Sequence, residues 1–297
     1  MLKIGTRKSE LALWQAHFVS AELKKSGVDS ELVEIESFGD KIQELPLHKL
    51  GNKGVFTKAL DDALLSGNID LAVHSLKDVP TVLEPGLALT AVPKRGNPFD
   101  VFVQPLHPVE KNTPRIVATG SIRRKAFWLN FFPDDTVIDL RGNVPTRLQK
   151  IDTNGCDGGI FAQAGLERLN LEARISKEID WMLPAPSQGA LGIITRIDSP
   201  YKDVIKQLND PDTELCTGIE RAFLNALDAG CSSPVGAYAH IKKEGLLFKA
   251  AVLSLDGSQL IEIERDIKRN SATAEHGQEW ASMILKEGAD YILSGSK

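Results

Sequence analysis

Basic residues recur where a strand would end or a helix begin: Arg7, Lys53, Lys58, Lys77, Arg123, Arg124, Arg141, Arg147 and Arg168, most of them beside Gly, Ser or Thr. Any one of them alone reads as solvated surface charge. As a set they describe an anion site. Helix N-termini present free N–H groups and the positive end of a dipole, arginine adds a planar fork for carboxylate or phosphate, and ligands of α/β sheets sit at strand carboxyl ends. The expected ligand is a small polyanion in a cleft. Neither GxxxxGK(S/T) nor GxGxxG is present, so a nucleotide loop is not supported.

Two further residues carry chemistry. Asp78, in HSLKDVP (74–80), follows a strand-like run and stands among cations. An aspartate so placed stays ionised and suits stabilising a cation or relaying a proton. A structural ion pair with Lys77 or an Asx turn fits the same spacing. Cys231, in GCSSPVG (230–236), lies past a helix end in a loop of small residues. That is the accessibility a nucleophile or covalent attachment point needs, whereas Cys156 and Cys216 read as buried apolar thiols. The six histidines show no metal spacing, so no metal is expected.

The elements that must position these residues alternate. Strands are expected at Leu2–Thr6, Leu32–Phe38, Ile69–Val73 and Leu87–Val92. Helices are expected from a Ser9 cap to Ser26, with Leu13, His17/Phe18 and Ala21 on one side, and over Val55–Leu65. The pattern restarts after PKRGNP (93–98), with strands at Arg115–Thr119, Thr136–Leu140 and Gly158–Ala162 and helices at Ser121–Phe132 and Pro145–Thr153. IGTRKS and VATGSIRR weakly echo each other as strand, turn with arginine, then helix. LPAPSQG (183–189) marks a second crossover before a strand-like run at Ala190–Thr195, so the chain is expected to leave a first unit and return to it. Alternation of this kind implies mostly parallel sheets covered on both faces. The tail differs: a helix at Glu214–Ala229, then runs at Val235–Lys243, Leu246–Leu255 and Gln259–Ile267 with Asp256-Gly257 as a hairpin turn, and a helix at Ala272–Glu287.

Composition bounds the function. The 297 residues include 35 basic and 40 acidic, a net charge of −5, which argues against a nucleic-acid or anionic-membrane binder. No apolar run approaches the ~20 residues of a membrane span, and the charged first residues resemble no signal peptide. Three dispersed cysteines form no disulfide framework. A cytoplasmic protein is expected.

The segments TRKSELALWQ (6–15), GNKGVFTKAL (51–60), DLAVHSLKDVP (70–80), ATGSIRR (118–124), DLRGNVPTRL (139–148), AGLERL (164–169), PSQGALGI (186–193) and GCSSPVGAYA (230–239) resemble, in order and spacing, those of the hydroxymethylbilane synthase (porphobilinogen deaminase) family. The resemblance covers nearly the whole chain. It implies an α/β fold of two periplasmic-binding-protein-like (type II) domains, 1–95 with 190–210 and 96–189, plus a small C-terminal α+β domain with an antiparallel sheet, 211–297. It implies deamination and head-to-tail joining of four porphobilinogen molecules into a linear tetrapyrrole, by a monomer that binds neither nucleic acid nor membrane. It also implies a dipyrromethane cofactor, held by a thioether on Cys231 and contacted by Lys77, Asp78, Thr119, Ser121, Arg123, Arg124, Arg141 and Gln188. Asp78 would be catalytic. Arg7, Ser9, Arg141, Arg147 and Arg168 would bind substrate, and Lys53 and Lys58 would ride on a mobile lid. The chain departs from the family's usual pattern at Gly120, where a serine is common, and at Ile194, where a glutamate is. Without the resemblance, a non-enzymatic two-lobed anion-binding protein would fit the fold and the arginines.

Overall fold

The computed structural model describes residues 1–36, 57–107, 113–229, 233–243 and 245–295. The first sheet has the order β2-β1-β3-β10-β4, from β1 (Leu2–Thr6), β2 (Ser30–Glu34), β3 (Leu71–Ser75), β4 (Leu87–Ala91) and β10 (Leu191–Arg196). Helix α1 (Glu10–Lys25) begins where the Ser9 hydroxyl accepts from the Ala12 amide. It buries Ala16, Val19 and Leu23 on one sheet face against Leu2, Ile4, Leu71 and Ile193. Helix α2 (Lys58–Leu65) covers the other face with Leu60 and Leu64. Of the expected apolar side of α1, Leu13, His17/Phe18 and Ala21, only Phe18 packs against this core. Phe18 also stacks on the exposed Trp14, ring centroids 5.6 Å apart.

The second sheet, β7-β6-β8-β5-β9, is built from β5 (Asp100–Val103), β6 (Ile116–Ala118), β7 (Thr136–Ile138), β8 (Gly158–Ala162) and β9 (Lys177–Ile179). Helices α3 (Ile122–Phe131), α4 (Val144–Thr153) and α5 (Gln163–Glu167) pack on it. β5, β9 and α5 are too short and irregular in sequence to have been expected. The echo seen in the sequence is real locally: β6 leads to α3 through a Ser121 cap as β1 leads to α1 through Ser9.

Each sheet is mixed, with four strands running one way and one running against them. β1 pairs parallel with β2 and β3, and β6 with β7 and β8, but β10 runs against β3 and β4, and β5 against β8 and β9. The reason lies in the crossovers. Both segments arrive at the ends where parallel strands finish, so Leu191 starts opposite Ser75 and Asp100 opposite Ala162. A strand entered from that end must run back against its neighbour.

After α6 (Lys202–Lys206), helix α7 (Pro211–Ala226) leads to an antiparallel sheet of β11 (Val235–Lys242), β12 (Gly245–Leu253) and β13 (Leu260–Lys268), followed by α8 (Glu275–Ile284) and α9 (Asp290–Ser294). Phe223 of α7, Phe248 of β12 and Trp280 of α8 form the centre of its core, with ring centroids 5.2 and 4.7 Å apart. No helix among the described residues is long and apolar enough to cross a membrane.

The three sheets meet at one carboxylate. Glu220 of α7 is fully buried. It accepts from Arg95 Nη1 and Nη2 at 2.6 and 3.1 Å, from the Ser187 amide at 2.6 Å and from the Ala239 amide at 2.8 Å. Arg95 lies in the first crossover, Ser187 in the second and Ala239 on β11. The crossovers touch closely here. Gly189 has φ +86°, and a Cβ on it would stand 2.7 Å from the Gly96 and Asn97 carbonyls, so glycine is required. Removing one partner of a buried, hydrogen-bonded ion pair costs about 3–5 kcal/mol. Glu220→Gln is therefore expected to lower unfolding free energy by about that amount, read from urea denaturation; a loss within experimental error would mean that Arg95 is satisfied without it.

Candidate active site

Five strands, β1 and β3 of the first sheet and β6, β7 and β8 of the second, are each followed by residues singled out above. β1 ends at Thr6 and delivers Arg7, half-buried, ahead of Ser9. β3 runs into a single 3-10 turn, Leu76–Asp78, which carries Lys77 and Asp78. β6 leads through Thr119 to Ser121, whose amide donates to the Thr119 hydroxyl at 3.2 Å and whose own hydroxyl accepts from the Arg124 amide at 3.4 Å. That cap places Arg123 and Arg124 in the first turn of α3. β7 is followed by Arg141, and an Asn143 cap sets Arg147 in the first turn of α4. Arg168 closes α5, beyond β8.

Arg123 and Arg124 are nearly inaccessible, at 4% and 6% exposure. The reason is Asp100, a residue the sequence reading passed over, at the first position of β5. Arg123 Nη2 donates to Asp100 Oδ2 at 2.7 Å, and Arg124 Nε to Oδ1 at 3.0 Å. Gln188 Nε2 donates to the same Oδ1 at 2.9 Å and to the Pro98 carbonyl at 2.8 Å. Its amide oxygen in turn accepts from Lys77 Nζ at 3.2 Å. Burial by itself would raise the pKa of Asp100, but the two guanidiniums and the Gln188 hydrogen bond outweigh it and hold the carboxyl at about 2. The arginines are thereby oriented by protein groups: Arg123 Nη1 donates to the Leu183 carbonyl at 2.6 Å and Arg124 Nη1 to the Ile160 carbonyl at 3.0 Å. Arg123 Nε stays buried with no hydrogen-bond partner among the described residues.

The remaining cations crowd this pair. Burial pushes Lys77 down to about 8, with Asp78 and Asp100 acting against the shift and Arg124 and Arg123 adding to it. Burial likewise lowers Arg147, to about 10, with Arg124 and Arg141 adding like charge and Asp78 opposing. Lys77 and Arg147 belong to different sheets, yet both lie within the field of Asp78. Asp78 itself is exposed. Arg168 donates to the Gly189 carbonyl at 2.6 Å and lies 5.5 Å from the Trp14 ring centroid, which ties the second sheet's helix layer to α1. His74, buried beside Arg7, is pushed to about 4 by desolvation and by that charge, so it is neutral at pH 7.

Lys58 is not part of this cluster. It pairs with Asp62 Oδ1 at 2.9 Å and approaches Glu84 Oε1 at 3.9 Å. Lys53 and Cys231 lie outside the described residues. Cys156 and Cys216 are buried free thiols, and burial with the nearby Glu220 charge raises Cys216 to about 12, which leaves it unreactive. Gly120 has a local reason: a Cβ there would stand 2.6 Å from the Leu140 carbonyl. Ile194 is fully buried with Leu60, Leu64 and Leu76.

Asp100, Glu220 and Arg95 were missed because nothing near them in sequence marks them. The only available signal was that Asp100 and Arg95 sit beside Gly and Pro in a crossover. The depressed pKa of Asp100 has a definite consequence. A carboxyl whose folded pKa lies below its unfolded value of about 3.9 stabilises the fold above that pH and loses the contribution as pH falls toward the folded value. Melting temperature is thus expected to fall between about pH 4 and pH 2 in the parent protein, and Asp100→Asn is expected to be less stable at neutral pH and shallower in that window. An unchanged acid slope in the variant would rule out Asp100 as its source.

Residues 2–202 match the family described as porphobilinogen deaminase, dipyromethane cofactor binding domain, and residues 214–286 match porphobilinogen deaminase, C-terminal domain. A porphobilinogen deaminase from Chloroherpeton thalassium is 42% identical, over 98% of this chain and 96% of its own length. One from Syntrophotalea carbinolica is 42% identical over 99% and 95%, and one from Moorella thermoacetica 41% over 100% and 96%. Among solved structures, a periplasmic substrate-binding protein of an ABC transporter from Coxiella burnetii aligns with 72% of this chain and 94% of its own at a TM-score of 0.45 and 10% identity. Matches that run through all three sheets at this level of identity leave no ambiguity: the chain belongs to the porphobilinogen deaminase family.

Proposed function

We propose that the cleft between the first two sheets is where this chain carries out porphobilinogen deaminase chemistry, with Asp78 as the catalytic carboxylate and Cys231 as the attachment point of the cofactor. The family's activity is that of a transferase of tetrapyrrole biosynthesis, hydroxymethylbilane synthase, working with a dipyrromethane cofactor. The observation that carries the residue assignment is the exposed carboxylate of Asp78 in the shared field of Lys77 and Arg147, beside the buried Arg123–Asp100–Arg124 group.

The residues present fit the cofactor. A dipyrromethane carries an acetate and a propionate on each ring. Cations outnumber anions in the cleft, and Arg123 keeps a buried Nε–H without an acceptor among the described residues, a donor that a carboxylate would satisfy. Lys77, Thr119, Ser121, Arg123, Arg124, Arg141 and Gln188 would hold that group. Gln188 would act largely through Asp100 and Lys77, which it already joins. Arg7, Ser9, Arg141, Arg147 and Arg168 would hold the substrate's carboxylates. When bound, the cofactor supplies the pyrrole carbon that primes the chain.

Each turnover expels ammonia from the aminomethyl arm of porphobilinogen and leaves an azafulvenium-type cation on the substrate. Carbon–carbon bond formation then puts positive charge on a second ring, which is relieved by loss of a proton. Asp78 meets both demands: its charge stabilises each cation, and its oxygen is open to take the proton. The surrounding arginines would oppose these cations if they were not matched by substrate carboxylates. Asp78 is thus an exposed negative group set where positive charge develops.

The same reading takes the chain as three domains, 1–95 with 190–210, 96–189 and 211–297, supported by β10 returning to the first sheet. It takes the protein as a monomer and as cytoplasmic, the location supported by the two free buried thiols among the described residues.

Asp78→Asn keeps the shape and removes the charge, so turnover per cofactor-loaded enzyme is expected to fall by about 10²–10³ with little change in melting temperature. Asp78→Glu is expected to retain more activity. An early-melting Asp78→Asn that turns over normally when folded would make Asp78 a structural ion-pair partner instead. Attachment is tested by intact mass: Cys231→Ser is expected to fold without an adduct of dipyrromethane size, whereas Cys156→Ala and Cys216→Ala keep it. An adduct on Cys231→Ser would move the attachment point elsewhere.

A further inference from the structure

Helix α7 touches the turn that carries Lys77 and Asp78 through a residue that no motif marked. Arg221, next to Glu220, donates from Nη2 to the Pro80 carbonyl at 2.6 Å, and from Nη1 to the Val79 carbonyl at 3.0 Å and the Leu76 carbonyl at 3.5 Å. One turn later on the same helix, Asn225 Oδ1 accepts from the Thr81 hydroxyl at 2.9 Å. The guanidinium is half-buried and has no carboxylate partner among the described residues. Its acceptors are the backbone carbonyls on either side of Asp78.

That arrangement differs from an ordinary interface arginine. Desolvating a guanidinium without a counter-charge is unfavourable, and burial pushes Arg221 down to about 10. In return, a planar fork with several donors can hold carbonyls four residues apart in one geometry, which a point-like ammonium cannot. The start of the turn is pinned from the other side by the Leu76 amide donating to the Ala190 carbonyl at 3.0 Å. Asp78 thus stands on a three-residue turn clamped between β10 and α7.

We propose that Arg221 is a positioning residue for Asp78. Through it α7 sets where the carboxylate stands relative to the cations of the cleft, while Glu220 beside it fixes the two crossovers and the same helix leads into the segment bearing Cys231. This rests on the reading of Asp78 as the catalytic carboxylate. The third domain would then fix the geometry of the reacting centre as well as carrying the cofactor.

The test uses cofactor-loaded enzyme, with loading checked by intact mass, and compares Arg221→Gln, Arg221→Lys and Asp78→Asn with the parent. Amide hydrogen exchange over residues 76–81 reads the clamp without reference to activity, and it is expected to quicken in Arg221→Gln. A misplacement of the order of 1 Å at a reacting centre can cost about 10²-fold, so kcat of Arg221→Gln is expected to fall by up to that factor while KM for porphobilinogen holds. Arg221→Lys, which restores one donor, is expected to recover part of the loss, and it decides the matter if Arg221→Gln does not fold. Unchanged exchange over 76–81 would overturn the proposal. So would unchanged kcat per loaded molecule with only a lower melting temperature, provided Asp78→Asn is impaired. Normal turnover by Asp78→Asn would instead remove the reading of Asp78 itself, and the proposal with it.

Discussion

Glu220 is a charged group in an environment that excludes water, and it persists because four hydrogen bonds from three stretches of chain converge on it. An unpaired carboxylate at that depth would be strongly unfavourable. The crossovers around Arg95 and Ser187 must therefore sit side by side against α7, and β11 must present the Ala239 amide to the same oxygens. Ser187 accepts a left-handed backbone, φ 64°, in making its contact. Everything else in the cleft inherits its position from this junction. The two sheets face each other across strands that begin at it, and Gln188 and Asp100 lie a few residues from the contacts it fixes.

Within that frame the cleft gathers like charges that would repel one another if left alone. Asp100 answers the problem for Arg123 and Arg124 by standing between them, fully buried and held ionised. Charge pairing here is a matter of orientation as much as stability, because the guanidiniums are locked by carbonyls at Leu183 and Ile160. Preorganised donors of this kind need no rearrangement when an anion arrives. Lys77 and Arg147 keep their charges in a crowded, partly desolvated place, which makes their surroundings receptive to carboxylates, with Asp78 and Asp139 as exposed counter-charges. On the proposed reading, this arrangement serves a reaction whose substrate is an anion at its edges and a cation at its reacting carbon.

Much of the site was legible in the chain. Asp78, the arginines after glycine- or serine-marked turns, the capping role of Ser9 and the helix opening at Ser121 follow from local rules: a strand end, a cap and a first turn are decided within a few residues of each other. The restart after residues 93–98 and the return near 190 could also be read, because Pro and Gly punctuate the backbone where the chain crosses. Mostly parallel sheets followed from the alternation; the one strand in each that runs the other way, β10 or β5, is set by the end of the sheet at which it enters, which no periodicity records.

What the chain by itself determined, then, is the order of the longer elements, the Ser9 cap and the groups proposed for the chemistry. Only the tertiary structure decided which face of α1 is buried, since Ala16, Val19 and Leu23 form as good a stripe as Leu13, Phe18 and Ala21 until a sheet is present to choose between them. It alone decided that Asp100 lies 2.7 Å from Arg123, that Glu220 joins residues 95, 187 and 239, and that Arg221 grips the turn at 76–80. These pairs are separated by some 20 to 140 residues. The physical reason is the same for each. A buried charge finds its partner by exclusion of water across the folded molecule, and that selection leaves no mark on the residues adjacent in sequence.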